Sequence, residues 1–507
     1  MKERERVAII DLGSNSARLI VVDIDRRGAY NLVYNQKETV RLGEGLAATG
    51  QLQEAAMRRA VGTLQVFAHM NQLFKVDKVL AVATAAVRNA KNGADFLRQA
   101  KKETGIPLRV ISGEAEAKLG YLGVVNTLDI EEGIVFDLGG ASTELTLIKG
   151  RKAQTAVSMP FGAVTLTEYL GARPNEKKLL ELQNHLWDQL VGLSWLKDSG
   201  VPLIGIGGTA RNIAKMDQRK KGYPFPKVHN YRLGKMAFQE LYRSLAGMTL
   251  SQRRKVPGLS NERADIIVPG LAIVNALFDI TSSQQFLVSG CGVREGLFMQ
   301  YYQSRHGEGE LVRDILEHST HNMMLSYNLD ETHAQHVASL ADQLWQGWGD
   351  RAELGARERR LLRVSALLHD IGISINYYDH PRHSAYLVEN ARLFGLTHRE
   401  QMLCAVMAGW HNGLSMKYVR NRMYSEFLDE GDWMRARKLG LLLAVAEALD
   451  TTQMQLVRRV KAGLDLEQGM ALLELELREA AVIEQENVNK LKKAFKKEFN
   501  LELTVMA

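Results

Sequence analysis

Asp11 to Leu19 reads DLGSNSARL, and Asp137 to Leu145 reads DLGGASTEL. Asp, Leu, Gly, Ser and Leu recur in the same frame, and each copy follows a short apolar run, VAII and GIVF. A small polar turn between two apolar runs predicts a strand, a tight turn and a returning strand. The backbone amides of such a turn, flanked by small side chains, suit the close approach of an anion. The first turn is Gly13, Ser14, Asn15 and Ser16; the second is Gly139, Gly140, Ala141 and Ser142. Each incoming strand ends in a carboxylate, Asp11 or Asp137, suited to hold Mg2+ directly or through water. The planar guanidinium forks of Arg18 and Arg88 suit direct pairing with phosphate oxygens. Two hairpins of this kind predict two half-domains closing on a phosphate chain from opposite sides.

The elements that must position these residues alternate in type. Strand signals VAIIDLG, LIVVDID, YNLVYNQ, VLAVAT and LRVIS are interleaved with helical periodicity near 53–74, 95–104 and 114–125. The pattern restarts at Gly133 with GIVFDLGG, LTLIKG and AQTAVSM, then a helix near 176–197. LIGIGGTA runs as a buried strand into a Gly-Gly-Thr turn. Helices are expected near 235–248 and 261–278, then the strand QFLVSG and a helix over 292–303. The predicted class is α/β, two similar lobes over 1–126 and 127–305. SRHGEG (Ser304 to Gly309) reads as a linker. Over 306–456 apolar residues fall at helical spacing, which predicts an all-α domain rich in histidine. VRRVKAGLDLEQ and MALLELEL, a basic helix over 484–499 and the strand LELTV make 457–507 a small α+β domain.

Composition narrows the class. A chain of 507 residues is too long for one core. A net charge of +7 suits a polyanionic substrate. Two cysteines, Cys291 and Cys404, build no disulfide framework, which points to a reducing compartment. MKERER lacks the apolar core of a signal peptide, and no stretch is long and apolar enough to span a membrane. A cytoplasmic protein is expected, with neither a membrane nor a specific nucleic acid as partner.

DLGSNS with Arg18, ATAAVR, ISGEAEAKLGYLGV, DLGGASTEL, GIGGTAR and VREG occur in this order along the chain. In these landmarks it resembles the exopolyphosphatase/guanosine-pentaphosphate phosphohydrolase (Ppx/GppA) family of the actin-like ATPase superfamily. The resemblance implies two actin-like (ribonuclease H-like) lobes. It points to Glu116 as the base that activates the attacking water, because Glu116 matches the second Glu of the family's S-G-x-E-E-A motif. Glu144 would help orient the water or the metal. The first Glu of that motif is replaced by Ala115, with Glu114 one residue earlier; Ala141 replaces a glycine of the family's GGGS turn. Gly207, Gly208 and Thr209 fall where nucleotide-binding members of the superfamily hold adenosine; here they are expected to shape the phosphate channel, with Arg263 and Arg294 lining it. The family also implies K+ as an activator and a homodimer.

In the helical region, His336, His369-Asp370 and Asp450 follow the His … His-Asp … Asp ligand order of the HD phosphohydrolase fold, and the region is therefore expected to be HD-like. His383 and His411 fall where two-metal members carry extra ligands. Adjacent imidazole and carboxylate groups suit a divalent ion and the activation of its bound water. His333, His380 and His398 are expected to face solvent.

The resulting expectation is Mg2+-assisted, processive release of terminal orthophosphate from inorganic polyphosphate. The runner-up on the same site is hydrolysis of guanosine pentaphosphate to the tetraphosphate. Other classes are a kinase or chaperone-type ATPase, disfavoured by the lack of a clear adenosine-pocket signature at Gly207 to Arg211, an HD-type phosphodiesterase, and a non-catalytic polyphosphate-binding module.

Overall fold

The runs VAII and LIVV offer no polar face to solvent, and every residue in them is buried. They form the centre of a sheet covered on both sides. In the computed structural model, residues 4–170, 176–307, 309–349, 354–413 and 422–506 are described. The chain divides into two units, Met1–Ile315 and Leu316–Ala507.

In the first unit, β1 (Arg4–Leu12), β2 (Ser16–Asp25), β3 (Tyr30–Thr39), β4 (Lys78–Ala83) and β5 (Arg109–Val110) form a sheet of order β3-β2-β1-β4-β5. A second sheet contains β6 (Glu132–Leu138), β7 (Thr143–Lys149), β8 (Lys152–Met159), β9 (Leu203–Ile206), β10 (Tyr231–Gly234) and β11 (Gln285–Val288), in the order β10-β11-β9-β6-β7-β8. Both repeat one plan: an antiparallel three-strand meander whose first strand pairs in parallel with the next strand of the sheet. These are the two expected lobes.

Two helices tie the lobes together by crossing. Leu297, Phe298 and Tyr302 of the helix Val293–His306 pack on Val7, Ile9 and Ile20 of the first sheet. Tyr121, Leu122 and Val125 of the helix Gly113–Val125 pack on Val135, Ile204 and Ile206 of the second. Where the helices meet, glycine is obligatory: a Cβ at Gly296 would lie 1.8 Å from the Leu119 carbonyl oxygen. The helices run antiparallel there, because Gly123 meets Gly292 while Leu119 meets Gly296.

Some boundaries differ from those read in the sequence. The region 261–278 is a short 3-10 turn, Asn261–Arg263, followed by the helix Ile267–Thr281. Pro269 explains the later start, because proline is tolerated in a first turn but not in a helix interior. Of the expected linker, residues 304–306 continue the helix Val293–His306, and Glu308 lies outside the described residues. The strand Tyr231–Gly234 carries too short an apolar pattern to be read in advance.

The second unit contains the helices Glu331–Trp348, Ala356–Leu368, His380–Asn390, His398–Ala408 and Glu430–Ala448. Its sheet joins β12 (Val457–Asp465), β13 (Met470–Leu477) and β14 (Glu502–Met506) in the order β12-β13-β14. The Trp348 indole donates to the Gly463 carbonyl at 3.0 Å and stands 4.8 Å from the Phe495 ring, which locks helix, sheet and the closing helix Val482–Phe499 together.

Candidate active site

The two hairpins close identically. Gly13 N–H donates to Ser16 O at 3.0 Å, and Gly139 N–H donates to Ser142 O at 3.0 Å. The turn carbonyls are bonded from behind: Ser14 O by Gly43 N–H, Asn15 O by Val40 and Arg41, Gly139 O by Ala163, and Gly140 O by Val164. Because C=O and N–H point oppositely across a trans peptide, the amides of Asn15, Ser16, Gly140 and Ala141 are turned the other way. The turns touch: a Cβ on Gly140 would stand 3.0 Å from Ser14 Cβ and 3.6 Å from Asn15 N. Between them lies a cavity of about 110 Å3, lined by Gly13, Ser14, Asn15, Ser16, Gly139, Gly140 and Ser142. Asn15 Nδ2 is buried with no hydrogen-bond partner, a spare donor in this cradle.

The guanidinium groups of Arg18, Arg211, Arg263 and Arg294 line the same cavity. Burial, then the neighbouring charges of Arg211 and Arg294, lowers Arg18 to about 10. Burial and Arg18 lower Arg263 to about 10. Such crowding of cations is relieved by an anion carrying several charges. The long helix Gly207–Lys221 also presents Gly207 and Gly208 at its N-terminus to the cavity, where amides and dipole favour negative charge.

Carboxylates line the same cavity: Asp11, Glu116, Asp137 and Glu295. Strand register pairs Asp11 with Arg18 in one hairpin and Asp137 with Glu144 in the other, so the repeats differ in the sign of one charge. Glu116, in the first turn of the helix Gly113–Val125, is buried and also lines the cavity. Its carboxyl is raised well above the ordinary value by burial, then by Glu144 and Asp137, against a bond from Arg88. Arg88 Nη1 donates to Glu116 Oε2 at 2.9 Å and to the Ile111 carbonyl at 2.9 Å. Burial, Glu144 and Asp11 raise Asp137 to about 7. The Ser158 hydroxyl donates to Glu144 Oε1 at 2.7 Å, while Glu144 Oε2 is buried without a hydrogen-bond partner. Crowded, desolvated carboxylates with an unshared oxygen fit a hard divalent cation such as Mg2+.

Most residues singled out in the sequence for this site therefore converge. Four have different places from those expected, among them Glu144, which is buried and is not among the residues lining the cavity. Thr209 is fully buried behind the cavity wall, where its Oγ1 accepts from Arg263 Nη1 at 3.4 Å; it supports a guanidinium and does not face the cavity. Arg88 is engaged by the Glu116 carboxylate and is not among the residues lining the cavity. Ala141 is buried and is not among the residues lining the cavity. Ala115, in place of a carboxylate, packs against the apolar cluster of Ile9 and Leu119. Arg211 was missed as a cavity cation, because the segment GIGGTAR does not say which side of the helix it opens faces the cavity.

The second unit assembles a different set. His333 Nε2, His369 Nε2 and Asp370 form one group, and Asp370, His380 Nε2 and His411 Nε2 form another. Glu447 Oε2 faces the first, 2.9 Å from His369 Nε2 and 3.2 Å from His333 Nε2. The expected ligand His336 is not in the cluster: its Nε2 lies 2.8 Å from the Val457 carbonyl. His383 is absent from it as well, and Asp450 stands behind, bonded to His333 Nδ1 at 2.8 Å. His333 and His398, expected in solvent, are buried, and His380 is half-buried.

The Ppx/GppA phosphatase family model matches residues 20–305, and the model for domain III of the Ppx/GppA phosphatases matches 315–495. Among solved structures, the Aquifex aeolicus member of that family is 31% identical, covering 60% of this chain and 99% of its own, with a TM-score of 0.52. An exopolyphosphatase from Cytophaga hutchinsonii is 26% identical, covering 59% and 98%, with a TM-score of 0.56.

Proposed function

We propose that this chain, which belongs to the Ppx/GppA phosphatase family, releases terminal orthophosphate from inorganic polyphosphate. The observation that carries the reading is Glu116, buried against Glu144 and lining a cavity that the turn amides and four guanidinium groups also line. The amides of the two turns and Arg18, Arg211, Arg263 and Arg294 bind the phosphate oxygens and fix the terminal group. Glu116, oriented by Arg88, takes a proton from water. The water oxygen bonds to the terminal phosphorus as the bridging P–O bond breaks, and its electron pair leaves with the shortened chain. Asp11, Asp137 and Glu144 would hold Mg2+, which supplies positive charge against the phosphate oxygens.

Inorganic polyphosphate is favoured over guanosine pentaphosphate by the lining itself. Among the described residues lining the cavity there is no aromatic ring on which a base could stack. Phosphate release from long polyphosphate and from guanosine pentaphosphate, measured on wild type and Glu116→Gln, tests both readings. Faster release from polyphosphate, with a loss of about 100-fold or more in kcat for the variant, is expected. Preference for the nucleotide, or full activity of the variant, would overturn them.

A further inference from the structure

We infer that the histidine–carboxylate cluster of the second unit is a two-cation centre, with Asp370 shared between the cations. His333, His369, Asp370 and Glu447 form one site; Asp370, His380 and His411 form the other. The inference is independent of the reading of the first unit.

His369 Nδ1 stands 2.7 Å from the Ala366 carbonyl, His411 Nδ1 2.6 Å from Ala408, and His380 Nδ1 2.8 Å from Tyr377. A carbonyl only accepts, so each Nδ1 carries a proton; with the ring neutral, the bare lone pair of Nε2 turns inward. His333 Nδ1 is bonded to the Asp450 carboxylate at 2.8 Å with the same result. Carboxylate and carbonyl partners of this kind are the outer shell that orients metal-binding imidazoles.

The inward atoms then meet like against like. His333 and His369 bring their Nε2 atoms within 3.2 Å, and His380 and His411 bring theirs within 2.9 Å. Two lone pairs at such distances repel unless something positive lies beside them. Glu447 Oε2 is buried without a hydrogen-bond partner, although it points at two of these nitrogens.

The spacing suits cations. With ligand bonds of about 2.1 Å, adjacent ligand atoms of one coordination shell stand about 3.0–3.5 Å apart. In the first group, Asp370 Oδ2 is 3.7 Å from His333 Nε2, and Oδ1 is 3.6 Å from His369 Nε2. In the second, Asp370 Oδ1 is 3.3 Å from His380 Nε2 and 3.5 Å from His411 Nε2. His333, His369 and His411 are almost fully buried, whereas Asp370 and His380 are half-buried, leaving an approach from their side. Four imidazoles with two carboxylates select first-row transition ions such as Mn2+, Fe2+, Co2+ or Zn2+ over Mg2+ and Ca2+, which prefer oxygen. A centre of this composition lowers the pKa of bound water and takes an oxyanion, such as a phosphate ester, as its ligand.

Metal content of the full chain tests this. Protein incubated with excess Mn2+, Co2+ or Zn2+, desalted and analysed by elemental mass spectrometry should retain about two ions per chain. Asp370→Ala should lose both, and His411→Ala should keep the first alone. His336→Gln and His383→Gln should keep both. Cobalt absorption bands, read with circular dichroism on each variant, separate ligand loss from unfolding. A wild type that retains none of the three metals, or a His336→Gln variant that loses metal while folded, would overturn the assignment. Glu116→Gln should leave the metal content unchanged, so failure here is distinguishable from failure of the polyphosphate reading.

Discussion

The Arg88 guanidinium donates to Glu116 Oε2 at 2.9 Å while its other nitrogen stands 3.9 Å from Glu144 Oε1, so one cation serves two buried carboxylates. Burial and Glu144 raise the Glu116 carboxyl, and Arg88 opposes them. A base must be deprotonated to act, so a higher pKa moves the acid limb of the rate profile to higher pH. Arg88→Met should lower kcat by about 10–100-fold at neutral pH and shift that limb upward. Arg88→Lys should recover part of the shift. The pH dependence of phosphate release from polyphosphate measures both.

Gly208 makes room for Arg263. A Cβ there would stand 2.0 Å from Arg263 Nη2, so Gly208→Ala must displace the guanidinium from the cavity wall. Gly208→Ala and Arg263→Ala should each raise KM for polyphosphate by about 10-fold, and the double variant should be little worse than either single one. Additive losses would show that the two residues act separately.

The packing of the helices Gly113–Val125 and Val293–His306, which carry Glu116 and Arg294, leaves no space at Gly296, where a Cβ would lie 1.8 Å from Leu119 O. Gly296→Ala should destabilise the first unit by about 2–3 kcal/mol, read as a lower urea midpoint. Gly62, half-buried in the helix Glu54–Leu73 with nothing within 4 Å of an added Cβ, is the control; Gly62→Ala should be neutral or stabilising.

In the second unit, Arg357 Nη2 donates to Glu400 Oε2 at 2.8 Å, and Glu400 also accepts from the Thr397 amide at the start of the helix His398–Ala408. Burial raises the Glu400 carboxyl, but Arg357 and the Thr397 amide outweigh it and hold the group below its ordinary value. A depressed carboxyl contributes stability above its unfolded pKa and loses it as pH falls through the folded one. Arg357→Met should therefore cost about 1 kcal/mol at neutral pH, and the difference from wild type should vanish below the ordinary carboxylate range. Denaturant unfolding of the two proteins at several pH values checks the convergence.

Local chemistry was legible in the sequence because it acts over a few residues. The repeated Asp, Gly and Ser of the two hairpins follow from turn chemistry, and the structure closes both turns with the same bond. Glu116 was reached through resemblance, and the structure places it at the start of a helix beside the cavity. Arg211 and the retreat of Thr209 were not legible, because they depend on which side of the helix Gly207–Lys221 faces the other hairpin.

In the second unit the sequence pointed to His336, His383 and Asp450, whereas His333, His380 and Glu447 face the cluster. Each pair is separated by three residues, about one helical turn. Residues so spaced share nearly the same helix face, and periodicity alone cannot choose between them. By itself the sequence determined the lobed plan, the paired glycine- and serine-bearing turns and the histidine-rich character of the second unit. Tertiary packing decided which member of each pair turns inward, because that choice rests on the rotation of whole helices against their neighbours.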